Sequence, residues 1–345
     1  MSRLPLVLAA LAALGIAAST ASATAPGKNG QLVFRRYLDA ARTTGPLFVS
    51  NPDGSKVRQL THPAHGVIDQ EPDWAPNGKR IAFERRFPCP AGGPKNGLDD
   101  KCDVVYTVGR DGKGLKALVP CDFAEHCHLV ATPAWSPDSA KIAYAYGVSD
   151  PKFTGSFNFD QAIWIVDANG KGARQVTQLT SGTSWDSGPQ WSPDGKKLVF
   201  VRADLQNQAD AVFRVAVDGS GLGQLTPWGL NAGDGPDWSP DGKWILFRDQ
   251  PADGSSNVYK AHPNGSGLVN LTKQAANGLH YLSSSFSPDG RLIVTARTPG
   301  TGPDGAADVV VMRADGSHAR AVTKSPLWES AVDWGPRVSA KKKGH

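Results

Sequence analysis

The body of this 345-residue chain lacks long hydrophobic runs. After the first two dozen residues its apolar stretches are four to six residues long and are interrupted by Gly, Pro, Asn and Asp. A membrane helix needs roughly 20 apolar residues, so no membrane span is expected there. Charge of one sign is also missing. There are 37 Lys and Arg against 32 Asp and Glu, and part of the small excess sits in the terminal KKKGH. No basic stripe or binding motif accompanies it, which argues against a nucleic-acid partner. No G-x-S-x-G turn occurs, so the nucleophile elbow of an α/β-hydrolase is absent. Cysteine is scarce, with Cys89, Cys102, Cys121 and Cys127 the four present. Four cysteines allow three pairings. Cys89 with Cys102 and Cys121 with Cys127 is the favoured one, because each bond closes a local excursion. A zinc site is the competing use, given EHCH at 125–128.

What is present begins with a leader. Arg3 precedes the apolar run from Leu4 to Ala18, and the small residues ASA follow at 21–23. This is the pattern of a signal peptide cleaved near Ala23. The expected product is exported, secreted or held in the periplasm or cell envelope, where two disulfides would persist. The expected organisation is a signal peptide at 1–23, a short lead at 24–28, one repeat domain at 29–336 and a basic tail at 337–345.

The domain is built from a repeat. WAPNGKRIAF at 74, WSPDSAKIAY at 135, WSPDGKKLVF at 191, WSPDGKWILF at 238 and FSPDGRLIVT at 286 stand 47 to 61 residues apart. Each reads as a hairpin: Pro presets φ, Asp or Asn bonds the local backbone, and Gly takes the positive φ that follows. A second turn motif recurs six times: NPDGSKVRQLT at 51, GRDGKGLKALV at 109, DANGKGARQVT at 167, AVDGSGLGQLT at 216, HPNGSGLVNLT at 262 and RADGSHARAVT at 313. One repeat is thus four short antiparallel strands. The fold class expected is all-β, a six-bladed β-propeller with four-stranded blades. WGP at 334–336 and NGQLVF at 29–34 supply the two parts of a split sixth blade, so that pairing of the N- and C-terminal strands closes the ring. Trp74, Trp135, Trp191, Trp238, Trp334 and Phe286 recur once per blade and should pack between sheets.

These residues carry a resemblance. P-x-W-S-P-D-G-K-x-I-x-F followed by D-G-x-x-x-x-x-L-T, clearest in GPQWSPDGKKLVF and GPDWSPDGKWILF, resembles the repeat of the TolB-like propeller family, a relative of the WD-repeat proteins. The resemblance covers residues 29–336. It implies the propeller only, without the α/β domain that precedes the propeller in TolB, so membership of the Tol-Pal system does not follow from it. The same repeat forms the non-catalytic half of some serine peptidases and the core of a pectate-degrading lyase.

In such a ring the loops leading into the innermost strands sit at the channel mouth. They carry His62, His65 and Asp69; His126 and His128; Trp185 and Asp186; Trp228, Asn231 and Asp234; His280 and Tyr281; and Trp328 and Glu329. Five of the eight histidines fall in this one class of loop. Aromatic faces beside carboxylates and imidazoles suit peptides and sugars, and loops on a rigid scaffold are the usual home of binding residues. Insertions at 87–102 and 147–161, the second with Phe153, Phe157 and Phe159, would either extend that surface or pack their own excursion onto the rim. The histidines are also candidate ligands of a transition metal, and Asp69, Asp186, Asp234 and Glu329 candidate oxygen ligands of calcium in the channel.

The function expected is a binding or assembly module for a protein, a peptide or a cell-envelope glycan. A metal-assisted lyase or hydrolase acting on an anionic polysaccharide is the alternative. A ring without a free sheet edge is expected to be a monomer.

Overall fold

The Ser-Pro-Asp-Gly turns set the register of the molecule. At residues 192–197 the Ser192 hydroxyl donates to Asp194 Oδ1 (2.6 Å), the Lys196 N–H donates to the same oxygen (3.0 Å), and the Lys197 N–H donates to Ser192 Oγ (2.9 Å). Ser136 with Asp138, Ser239 with Asp241 and Ser287 with Asp289 repeat the arrangement. Burial opposes the charge on Asp194, but these bonds hold its carboxyl below the ordinary value.

The computed structural model describes residues 26–89, 101–119, 121, 127–149, 159–178, 180, 182–249, 255–273, 278–299 and 306–338. The leader and most of the basic tail lie outside them, as do His126, Phe153 and Phe157.

The strands fall into antiparallel quartets, named here by their motif aromatic. The Trp74 unit contains β4 (Ile68–Trp74), β5 (Arg80–Pro88), β6 (Lys101–Gly109) and β7 (Lys116–Ala117). The Trp135 unit contains β8 (Cys127–Trp135), β9 (Lys141–Ser149), β10 (Phe159–Asp167) and β11 (Arg174–Gln175). The Trp191 unit contains β12 (Ser184–Trp191), β13 (Lys197–Asp204), β14 (Ala209–Ala216) and β15 (Gly223–Gln224). Single parallel bridges, Asp103 to Leu129 and Gln161 to Trp185, join these three units side by side. The Trp238 unit contains β16 (Ala232–Trp238), β17 (Ile245–Asp249), β18 (Val258–Ala261) and β19 (Val269–Asn270). The Phe286 unit contains β20 (His280–Phe286), β21 (Leu292–Thr298), β22 (Asp308–Arg313) and β23 (Arg320–Ala321). In the Trp334 unit, β24 (Glu329–Pro336) pairs with β1 (Asn29–Arg36), which continues to β2 (Leu47–Ser50) and β3 (Arg58–Gln59).

The fourth strand of each unit is only two residues long, and the Leu-Thr ending compensates. The hydroxyls of Thr61, Thr177, Thr226, Thr272 and Thr323 accept the N–H groups of Leu47, Ile163, Val212, Val258 and Val309, extending each ladder by one side-chain bond.

The motif aromatics are buried between units, as their recurrence suggests. Trp191 packs with Ala134, Ala143 and Ile163 of the preceding unit and Leu198 and Phe200 of its own. Trp74, Trp135, Trp238, Phe286 and Trp334 hold the same place in their own clusters. The glycines of the second turn give a further contact: Gly219 has φ +89°, and a Cβ there would lie 2.8 Å from the Val176 carbonyl of the preceding unit. Disulfides join Cys89 to Cys102 and Cys121 to Cys127, with Cα atoms 5.0 and 5.4 Å apart.

Candidate functional site

The first strand of every unit bends at one position, three residues before its motif aromatic. There the ladder shifts register, between Gln70 and Asp73 in β4, Ala131 and Ala134 in β8, and Ser187 and Gln190 in β12. Glu71, Thr132 and Ala331 adopt left-handed φ values of 47°, 47° and 51° at this position, and Gly188 and Gly235 occupy it in two other units. A left-handed conformation is costly for a β-branched residue such as Thr132 and persists only where the surroundings enforce it.

These bulges surround one cavity of about 260 Å³. All six first strands among the described residues contribute to its wall, including Gln70, Glu71, Asp73, Thr132, Gln190, Asp237, Ser284 and Asp333. The wall offers hydroxyls, amides and carboxyls, and among the described residues its lining includes no His, Cys, Lys or Arg.

Two tiers of hydrogen bonds organise it. In the first, Asp333 Oδ2 accepts the Trp74 N–H (2.7 Å), Asp73 Oδ2 accepts the Trp135 N–H (2.6 Å), and Asp237 Oδ2 accepts the Phe286 N–H (2.7 Å). Each bond ties a unit to its successor. The Ser285 hydroxyl adds a bond to Asp333 Oδ1 (2.8 Å). Burial, followed by the charge of Asp333, raises the Asp73 carboxyl well above its ordinary value. Burial likewise raises Asp333, and it pushes Asp237 up to about 7 with a smaller contribution from Asp333.

In the second tier, Arg35 donates to Gln70 Oε1 (2.6 Å) and to Ser330 Oγ (2.5 Å), and Gln70 Nε2 donates to Glu84 Oε1 (2.5 Å). Glu84 Oε2 accepts the Thr132 N–H (3.1 Å), and Thr132 Oγ1 accepts the Gly188 N–H (3.1 Å). The chain of bonds holds two of the left-handed bulge positions in place.

The residues expected at the mouth are distributed differently. Asp69, Asp186 and Glu329 are buried, at 0%, 1% and 0% exposure. Asp69 receives two bonds from Arg85 (2.6 and 2.9 Å), Asp186 two from Arg202 (2.7 and 2.8 Å), and Glu329 one from Arg36 (2.5 Å) and one from the Thr323 hydroxyl. Their charges are thus matched inside the units, and none of the three lines the cavity. This differs from the expected ring of calcium ligands.

His62 and His65 are exposed. His128 and Asp234 lie in β8 and β16, their side chains outside the described set. Among the described residues no group of three or more His, Cys, Asp or Glu is arranged to hold a metal. Trp185 is half-buried in β12, opposite Ala203. Trp228 packs on Phe213 with ring centroids 5.6 Å apart, and Asn231 Oδ1 accepts the Asp210 N–H (2.8 Å). His280 is half-buried and Tyr281 is 2% exposed. Trp328 is half-buried, with the Arg42 guanidinium 3.7 Å above its ring.

Asp73, Asp237 and Asp333 are the residues that sequence reasoning missed. The position before each motif aromatic could have pointed to them: it reads Asp73, Ala134, Gln190, Asp237, Ser285 and Asp333 around the repeats.

Comparison with known proteins agrees with this architecture. The family model described as the TolB beta propeller domain matches residues 111–339. A TolB homologue of Chlorobium luteolum is 29% identical over 221 residues, 63% of this chain and 42% of that protein. An uncharacterized peptidase, YuxL, of Bacillus subtilis is 30% identical over 120 residues, 34% of this chain and 17% of that protein. The chain therefore spans less than half the length of these curated relatives. Among solved structures, TolB from Acinetobacter baumannii superposes with a TM-score of 0.63 at 17% identity, covering 89% of this chain and 67% of that one. Hydrazine synthase of Kuenenia stuttgartiensis gives 0.67 at 13% identity, covering 92% and 48%. These likenesses concern the fold. With two thirds of its length matched by the family model and the same repeat in every unit, the chain belongs to the TolB β-propeller family.

Proposed function

We propose that this protein is an exported, closed six-bladed propeller that works as a binding module, receiving a segment of a protein or peptide at its channel. The observation that carries the reading is the polar cavity to which every first strand contributes. Its volume, about 260 Å³, lies below the ~300–1,000 Å³ of ordinary small-molecule pockets, so it suits a side chain or chain end presented by a larger partner. The left-handed bulges and the two bonded tiers keep the wall rigid, which lowers the entropy lost on binding. Trp328 with Arg42, and the exposed His62 and His65, offer contacts outside the cavity.

Closure is supported by the pairing of β1 with β24 and by the Asp333 bond to Trp74, which ties the split unit to the next. Export is supported by the leader pattern and by two disulfides, which persist in oxidising compartments. The proposed mature chain begins after Ala23.

The test is site-specific photo-crosslinking in the envelope of the producing cell. A photoreactive residue in place of Ser284, on the cavity wall, should give a discrete protein adduct that the same residue in place of the exposed Asn207 does not. Adducts containing only polysaccharide would transfer the reading to a glycan, and identical adducts at both positions would overturn it.

A further inference from the structure

The repeat provides its own internal comparison. The third-strand position that faces the basic residue of the fourth strand is Val49 opposite Arg58, Thr107 opposite Lys116, Ile165 opposite Arg174 and Val311 opposite Arg320. In the Trp191 unit the order is reversed, with Arg214 on the third strand and Gly223 opposite it. The ordinary basic residues reach the turn of the next unit: Arg58 donates to the Arg110 carbonyl, Arg174 to Val217 (2.8 Å) and Arg320 to Pro52 (3.0 Å). Lys260, which is reversed in the same way, still reaches the Ala314 carbonyl (2.8 Å). Arg214 makes no hydrogen bond or ion pair among the described residues, and its buried Nε–H has no acceptor. Arg214 is half-buried as a whole, but a buried N–H donor without a partner is costly and calls for a ligand or an ordered water.

Arg214 lines a groove of about 460 Å³ between the Trp191 and Trp238 units, shared with Lys197, Lys243, His262, Trp238 and Asn264. Lys197 also lacks the cross-strand acid of its counterpart: Lys141 pairs with Asp167, whereas Lys197 stands opposite Ala216. Asp241 is 3.5 Å from Lys243, but both side chains are mostly exposed, which makes this a weak surface pair. Asp194 is near Lys197 and is already engaged by Ser192. His262 is held in orientation by stacking on Trp244, with centroids 4.0 Å apart, and by its Nδ1 at 2.9 Å from the Lys243 carbonyl. A carbonyl only accepts, so Nδ1 carries the hydrogen.

We infer that this groove is an oxyanion-binding site, which takes a phosphate, sulfate or carboxylate group on Arg214 with Lys197 and Lys243 around it and the His262 ring forming part of the wall. It lies at the end of the units where the first strands finish, away from the loops that lead into those strands, and is independent of the central cavity. The corresponding groove one interface earlier serves as a built-in control. Asp138 and Asp194 line it, Arg174 is bonded to Val217 and Lys141 is paired with Asp167.

The experiment is a titration of the full chain with sodium phosphate, sulfate and acetate, with ionic strength held constant by chloride. The readouts are the NMR signals of the Trp238 indole and the His262 ring, with the Trp191 indole as control. Saturable shifts at Trp238 and His262, absent at Trp191, are expected. Arg214→Gln should weaken the affinity roughly tenfold or more, as loss of a charge-assisted bond implies, and Lys141→Gln should leave it unchanged. If Arg214→Gln fails to fold, Lys243→Gln, at a mostly exposed side chain, should weaken it several-fold. Saturation by phosphate and sulfate alone assigns an ester of those acids, and saturation by acetate as well admits a carboxylate. No saturation by any of the three, an equal response at Trp191, or unchanged affinity in both Arg214→Gln and Lys243→Gln would overturn the inference.

Discussion

Asp237 is a carboxyl whose acidity is linked to an interface. It accepts the Phe286 N–H of the next blade, and burial raises it from an ordinary 3.8 to about 7. The folded state therefore binds a proton that the unfolded chain releases between about pH 4 and pH 7. Stability is fully present below the unfolded value and falls as pH rises through that window, by up to ~4 kcal/mol from this group. Asp73 and Asp333 are raised as well and add to the slope. Urea unfolding from pH 4 to pH 8 should show declining stability, and Asp237→Asn should flatten the decline without abolishing it. The Asp69–Arg85 pair is a different case, a buried carboxylate that receives two bonds from one guanidinium. Arg85→Ala leaves a buried carboxylate alone, which costs about 3–5 kcal/mol. A thermal melt should show a fall in Tm on the order of 10 °C, and adding Asp69→Leu should restore most of it.

At the scale of the element, the turns were legible and the bulges were not. Pro, Asp and Gly in fixed places specify a turn by their own stereochemistry, and the Leu-Thr ending marks the close of each unit. The second-turn glycines show how local and long-range demands coincide. Gly316 has φ +86°, and a Cβ there would lie 2.1 Å from the Leu271 carbonyl of the preceding blade. Gly316→Ala therefore meets both backbone strain and a collision with an immovable carbonyl. It should cost more than the ~1 kcal/mol of an ordinary misplaced Ala, and differential scanning calorimetry would measure the loss. The bulge explains why Asp73 was not among the residues expected at the channel. Asp69 and Asp73 are four residues apart, and a regular strand would direct both to one face. The register shift between Gln70 and Asp73 inserts a residue and changes that parity. Asp69 turns to Arg85 and Asp73 to the cavity. Residue type alone favoured the histidines and tryptophans of the loops, and the geometry instead gathers the aspartates that precede the motif aromatics.

At the scale of the whole molecule one long-range pairing, β1 with β24, joins strands about three hundred residues apart in sequence. Its legibility came from two incomplete copies of the repeat, because neither WGP at 334–336 nor NGQLVF at 29–34 can bury an apolar face without the other. If that pairing closes the ring, the position of the chain ends should matter little and the presence of both strands should matter greatly. The ends of the pair are adjacent: Asn29 faces Pro336, and the Arg337 N–H donates to the Lys28 carbonyl (2.8 Å). A short Gly-Ser linker could therefore join residue 337 to residue 28, with new termini placed between the exposed Asn207 and Gln208. This permutant retains every blade and every interface and should melt cooperatively within a few degrees of the parent. Deleting residues 329–336 removes the strand that carries Trp334 and Asp333, strips the apolar contacts of Leu32 and Phe34, and leaves β1 as an open edge. That variant should lose the cooperative transition and aggregate. A truncated chain that melts like the parent would show that the split blade does not close the ring.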